Sequence, residues 1–362
     1  MDIIEHRRTL HRIPELDKDL PKTMAYLRKT LEKLNCKVFS PTQGALCAWF
    51  DFGRDCSIAF RSDADALPIR ENTGLAFSSC HEGKMHACGH DGHMAILLEL
   101  ARRLSKKVRL PHNVLLVFQG AEETTGGAKD ICDTGVFETY NTRAIFGLHL
   151  WPGLEKGKLY SRVGEMMCRS CQVQVDIYGR SAHIAKAEEG IDALEAGLEF
   201  YREARRMERS LPKHILRLLN FGKMESGTVC NAISDHTRLE GSLRAFREDV
   251  FDRLVQRLHR LGEKVAASTG TRITVQTSEG YPPVTNPLGL YHQVSCAAAF
   301  RQLESPVMTT EDFSWYQKRL PGMFFFLGIG ETPALHADNF DFDEAILEKG
   351  ADFFLDLAEK FQ

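Results

Sequence analysis

The chain has no long apolar run. Its longest hydrophobic stretches, 113–118 and 322–329, fall well short of the roughly 20 residues that a membrane-spanning helix needs. The opening residues, Met1-Asp2-Ile3-Ile4-Glu5-His6-Arg7-Arg8, carry no apolar segment of the secretory type. Charge of neither sign is in excess. Lys and Arg total 46 and Asp and Glu 49, a formal net charge of −3, so there is no electrostatic case for nucleic acid or an anionic membrane as partner. Cysteine is not dense either: ten in 362 residues, scattered rather than spaced as a small disulfide framework. The expectation is a cytoplasmic protein with mostly free, buried thiols. Internal repeats and low-complexity segments are also absent.

What remains is an ordinary globular composition, 43% hydrophobic and 26% charged, in a chain long enough for two domains. The first 30 or so residues read as helix, with Leu10, Ile13, Leu16, Leu20, Met24, Leu27, Leu31 and Leu34 at helical spacings. Strand-length apolar runs follow at 45–52, 56–60 and 114–118, each ending in a polar or glycine-containing loop. An amphipathic helix, 92–104, lies between the last two, with Asp91 at the position expected of its N-cap. This alternation predicts an α/β domain with a mostly parallel sheet and helices on both faces.

Near Arg162 the pattern changes. Val173, Val175 and Ile177 alternate with polar neighbours, the period-two signature of a half-buried strand. A helix (190–210), strands (215–221 and 238–246), a helix (248–268) and a strand (272–277) complete an α+β segment. The α/β character returns with 288–303, the strand 323–327 and a last helix, 343–361. The predicted organisation is a catalytic domain of residues 1–164 and 278–362, with a smaller α+β lid or dimerisation domain, 165–277, inserted into it. Cys168 and Cys171, three apart, fall on opposite faces of a strand and are read as structural.

The chemistry concentrates in Lys84-Met85-His86-Ala87-Cys88-Gly89-His90-Asp91-Gly92-His93. One thiol and three imidazoles stand within eight positions, and both side-chain types bind zinc-like ions well at neutral pH. Gly89 permits the tight turn that brings Cys88 and His90 to one centre. Glu122-Glu123 follows a strand and so reaches the crevice where open α/β sheets bind ligands. One carboxylate of such a pair can hold metal while the other takes a proton from water. His149 follows the apolar run 144–146, and His336 lies in a loop after the strand 323–327. The aspartates of Arg61-Ser62-Asp63-Ala64-Asp65 are candidate ligands or orienters of histidines.

These motifs resemble the co-catalytic di-metal metallopeptidases, and specifically their amidohydrolase branch of hippurate hydrolases, auxin-conjugate hydrolases and N-acetyldiaminopimelate deacetylases. The likeness runs almost the full length. It takes in His11-Arg12-Ile13-Pro14-Glu15, Asp63-Ala64-Asp65-Ala66-Leu67-Pro68, His86-Ala87-Cys88-Gly89-His90-Asp91, Ala121-Glu122-Glu123, Gly147-Leu148-His149, Gly179-Arg180-Ser181-Ala182-His183, Thr310-Glu311-Asp312-Phe313 and the His336 loop. Carried over position by position, it implies five metal ligands: Cys88, His90, Glu123, His149 and His336. Glu122 becomes the general base, and Asp65 the acid that supports the metal site. His183 becomes an oxyanion stabiliser, and Asn231 and Arg244 substrate contacts. The position of Asp63 is a metal-binding histidine in the wider family; here His90 compensates, so Asp63 is not counted as a ligand. Two divalent metals bridged by water or hydroxide are implied. The thiolate and imidazoles suit Zn²⁺, and the nitrogen and oxygen ligands also accommodate Mn²⁺, Co²⁺ or Ni²⁺. Two departures stand out: Lys186-Ala187-Glu188-Glu189 replaces a Pro-His pair after the lid histidine, and Gly120 replaces a proline.

The expected activity is hydrolysis of the amide of an N-acyl, chiefly N-acetyl, amino acid or a related small amide. A homodimer through the inserted domain is expected by family analogy. The alternatives are a dipeptidase or aminopeptidase of the same superfamily, and a non-catalytic metal-binding module. Retention of Glu122 beside Glu123 argues against the module, because a pure binding site needs no free base.

Overall fold

A computed structural model describes residues 1–362. The chain forms two compact units. One is Met1–Met166 with Val284–Ser305 and Glu311–Gln362; the other is Met167–Pro283 with Pro306–Thr310. The second unit therefore runs past the 165–277 expected from sequence and also takes up a short later segment. No helix is long and apolar enough to cross a membrane.

The first unit is an α/β layer structure around an eight-stranded sheet. Its centre is four parallel strands in the spatial order Asn113–Gln119, Ser57–Asp63, Thr142–Pro152, Gly322–Gly330. Antiparallel Ala45–Phe50 and Lys37–Phe39 extend one edge. Every residue of Ser57–Asp63 and Asn113–Gln119 is buried, because both faces of the sheet are covered. One face carries Ile58, Phe60, Leu116, Phe146 and Phe325 into a core with the helices Ile3–His11, His90–Leu104 and Leu347–Lys360. On the other face Phe324 meets Phe313, and Phe313 meets Tyr316.

The N-terminal helix expected from periodicity is two helices, Ile3–His11 and Pro21–Leu31. Pro14 cannot continue the first, and Pro21 occupies the opening turn of the second. Asp91 is not an N-cap. Gly89, at φ 83°, takes that position, and the Asp91 carboxylate instead accepts from Arg7 and His11 at 2.9 and 2.8 Å. The stretch 288–303 is helical only over Leu288–Ala297.

The second unit is a four-stranded antiparallel sheet in the order Arg272–Thr277, Arg169–Tyr178, His236–Ala245, Arg217–Ser226. The helices Ala193–Arg209 and Glu248–Thr269 pack on it through Phe200, Leu254 and Leu258, which meet Val173, Val175, Ile177 and Leu239. All ten cysteines are free, and Cys168 and Cys171 are buried.

Candidate metal centre

The candidate ligands come from the ends of neighbouring elements of the first unit. Cys88 lies just before the helix His90–Leu104, and His90 is its first residue. Between them Gly89 adopts a left-handed backbone that disfavours a side chain. Glu122 and Glu123 follow Asn113–Gln119, and His149 lies within Thr142–Pro152. His336 occupies a loop, also left-handed at φ 66°, and its backbone N–H donates to Ala87 O at 2.8 Å.

Hydrogen bonds determine which imidazole nitrogen faces the centre. His90 Nδ1 donates to the Asp65 carbonyl at 2.8 Å, leaving Nε2 buried without a hydrogen-bond partner. His149 Nδ1 donates to Leu150 O at 2.7 Å, and its Nε2 stands 3.4 Å from Cys88 Sγ. Ligands of one tetrahedral zinc ion, at about 2.0–2.3 Å from it, sit roughly 3.5 Å from each other. Donor atoms of Cys88, His90 and His149 lie within 4.8 Å of one another, as do those of Cys88, Glu123 and His336. The two groups share Cys88. His336 Nε2 is 3.2 Å from Glu123 Oε1.

Asp65 organises the carboxylate pair. Its two oxygens accept from the backbone N–H groups of Glu122 and Glu123 at 3.1 and 3.0 Å. Its carbonyl meanwhile orients His90. Arg61, Glu311 and Asp312 were given no role in the sequence reading. Arg61 is buried and lies 3.0, 2.9 and 2.7 Å from carboxylate oxygens of Asp63, Glu311 and Asp312. Thr310-Glu311-Asp312 was visible as a motif, but nothing local indicates that it meets Arg61, some 250 positions earlier.

The electrostatics fit bound cations. Asp63, Asp65, Glu122, Glu123, Glu311 and Asp312 converge, and Arg61 pairs with three of them, Asp63, Glu311 and Asp312. Burial and the neighbouring Glu311, Glu123, Asp312 and Asp65 push Glu122 well above the usual carboxylate range. Burial raises Glu311 to about 8 against the pull of Arg61. Burial disfavours a charged His90, yet Asp63, Asp65 and Glu123 outweigh it and raise the imidazole to about 10. Protein groups alone leave this region short of positive charge, so it draws a proton where a divalent ion would serve. The Cys88 sulfur, the imidazole and carboxylate donors and the orphaned Nε2 of His90 suit such an ion. His86, the first imidazole of the motif, is not among the grouped donors; burial holds it neutral, down at about 3.

Residues 59–360 match the family model described as Peptidase family M20/M25/M40. The chain belongs to this family. A hydrolase of Staphylococcus haemolyticus is 32% identical to this M20 chain over 367 residues, covering 97% of it and 96% of the relative. The crystal structure of a Bacillus subtilis protein described as a dinuclear metal-binding M20 peptidase superimposes with a TM-score of 0.87 at 29% identity, over 98% of this chain and 96% of that one. A structure from methicillin-resistant Staphylococcus aureus, described as an aminohydrolase, gives 0.92 at 27% identity, over 98% and 95%. The M20 chain is therefore a hydrolase with the mixed α/β fold of its family.

The other predicted site residues lie in the second unit. His183 is exposed, and its loop pairs with that of Asn231: His183 bridges Ala232, and Ile184 N donates to Asn231 O at 3.0 Å. Arg244, on His236–Ala245, donates from Nη1 to Met308 O at 2.6 Å.

Proposed function

We propose that this M20 hydrolase is a metal-dependent amidohydrolase that cleaves the linear amide of N-acyl, chiefly N-acetyl, amino acids or related small amides. The observation that carries the reading is Glu122: a buried carboxylate of raised proton affinity, held by Asp65 beside the grouped donors. Cys88, His90, Glu123, His149 and His336 would hold two divalent ions, Zn²⁺ before Mn²⁺, Co²⁺ or Ni²⁺, which when bound activate water and polarise an amide carbonyl. The Glu122 carboxylate takes the proton of the attacking water and delivers it to the leaving amine nitrogen. Asp65 keeps Glu122 and Glu123 in fixed register through the two backbone N–H groups. His183 is assigned as oxyanion donor, and Asn231 and Arg244 as substrate contacts.

The amidohydrolase branch is favoured by its own motif pattern, Asp63 with His90 and Cys88. The Bacillus subtilis relative is described as a peptidase, which keeps dipeptide hydrolysis as the second reading. Homodimerisation through the second unit is supported by its edge strand Arg217–Ser226 and by exposed Leu194, Leu198 and Tyr201 on one helix. The ten free thiols suit a reducing compartment such as the cytoplasm.

The test is a panel of N-acetyl amino acids, N-benzoyl amino acids and dipeptides, assayed with each metal added to chelated protein. N-acyl turnover is expected, with a loss of at least about 100-fold in Glu122→Gln at retained metal content. Dipeptide turnover alone would move the assignment to the second reading. Absence of turnover on every substrate would leave a metal-binding module.

A further inference from the structure

Asp63, His90 and His93 also have donor atoms within 4.8 Å of one another, which at first sight offers another metal cluster. The hydrogen bonds of His93 argue otherwise. The backbone N–H of Leu150 donates to His93 Nε2 at 2.9 Å. An amide N–H cannot accept, so Nε2 carries the lone pair and the ring proton sits on Nδ1. That Nδ1 is 2.6 Å from Asp63 Oδ1 and donates to it. Both nitrogens of His93 are thus committed. Asp63 is anchored in turn, its Oδ2 accepting from Arg61 Nη1 at 3.0 Å.

Leu150 is the residue whose carbonyl accepts from His149 Nδ1. The ladder between Ser57–Asp63 and Thr142–Pro152 ends at the pair Arg61 and Gly147, three residues before Leu150. Beyond that point His93 takes the Leu150 N–H. A continuous chain results: Arg61 to Asp63, Asp63 to His93, His93 to the N–H of Leu150, and the carbonyl of Leu150 to His149. Rings of His93 and His149 also meet edge to face, 4.6 Å between centroids.

We propose that His93 is a positioning residue for metal binding: anchored by Asp63, it fixes the Leu150 backbone so that His149 presents Nε2 toward Cys88, and it takes no metal itself. The inference rests on the reading of His149 as a ligand. Such outer hydrogen-bond partners typically alter metal affinity by about 10–100-fold when removed.

The experiment titrates chelated full-length protein with Co²⁺ against a chromophoric chelator and records the Co²⁺ absorption spectrum. Wild type is expected to bind two equivalents. His93→Leu removes both hydrogen bonds of the ring. It is expected to keep its circular dichroism, to weaken one equivalent by about 10–100-fold with an altered spectrum, and to leave the other unchanged. His93→Gln restores most of the affinity, because its amide oxygen can accept from Leu150 N–H while its amide nitrogen donates to Asp63. Should His93→Leu fail to fold, His93→Asn, too short to span both partners, takes its place in the comparison. Wild-type affinity and spectrum in the disrupted variant would overturn the proposal, as would a His93→Gln protein no better than it. Wild type that binds no Co²⁺ would instead remove the ligand reading itself.

Discussion

Replacing Arg61 with methionine should be among the most damaging single substitutions in the first unit. The side chain is about 1% exposed and all its polar contacts are protein groups: Nε to Gln119 Oε1 at 2.9 Å, Nη1 to Asp63, and Nη2 to Glu311 and Asp312. Methionine fills similar volume but leaves three buried carboxylates without their cation. Removing one partner of a buried ion pair costs about 3–5 kcal/mol. Asp312 is cushioned, because Gln119 Nε2 and the N–H groups of Gly127 and Ala128 also donate to it at 2.6–3.0 Å. Glu311 is not: beyond Arg61 it keeps the Phe313 N–H, at 3.1 Å. Already raised to about 8 beside Arg61, Glu311 rises further without it and keeps its proton to higher pH. The variant's folded carboxylates then have raised proton affinity, so its stability declines relative to wild type as pH rises. The expected loss is about 3–5 kcal/mol at pH 9, where wild-type Glu311 is ionised against Arg61, and smaller at pH 6, where it holds its proton with or without Arg61. Equilibrium urea unfolding of chelated protein, followed by fluorescence and circular dichroism together, measures it. A loss under about 1 kcal/mol, or one equal at both pH values, would refute the ion-pair reasoning.

Two further predictions concern the same unit. Burial lowers the proton affinity of His11, but bonds to Asp91 at 2.8 Å and Glu71 at 3.3 Å outweigh it, and the imidazole rises from 6.5 to about 9. Its contribution is fully present below pH 6.5 and lost as pH climbs through about 9; the ceiling is about 3 kcal/mol. Thermal unfolding of chelated wild type should therefore fall more steeply across that window than that of His11→Asn, and parallel curves would count against it. Gly89→Ala places a Cβ at φ 83° and 3.1 Å from Leu150 Cδ1. It should cost about 1–2 kcal/mol and weaken metal binding, as read by denaturation and chelator competition; an unchanged midpoint would show that the turn relaxes freely.

The parts of the fold carried by local pattern were legible. Buried strands such as Asn113–Gln119 carry an unbroken apolar run, here 114–118, and Arg272–Thr277 has the bounds its residues suggested. Periodicity failed at the N-terminus, where Leu10 through Leu34 keep helical spacing across a break imposed by two prolines. Asp91 looked like a cap because a cap is a local motif; its partners Arg7 and His11 are 80 or more residues away. The same limit applied to the centre. Cys88, Gly89 and His90 announce themselves by spacing, whereas the convergence of Arg61 with Glu311 and Asp312 depends on the sheet order.

Asp65 joins two chemistries in one residue, through its carboxylate and its backbone carbonyl. Its carboxylate holds the backbone of both Glu122 and Glu123, while its carbonyl sets the tautomer of His90. Under the proposed function, metal affinity and proton transfer are therefore coupled through this residue. A drift that tuned one by shifting Asp65 would detune the other, so adaptation to a new metal or a new leaving group has to proceed around this residue. Double-mutant cycles pairing Asp65 with Glu122 or with Glu123, whose backbone its carboxylate holds, should accordingly be non-additive in both affinity and rate.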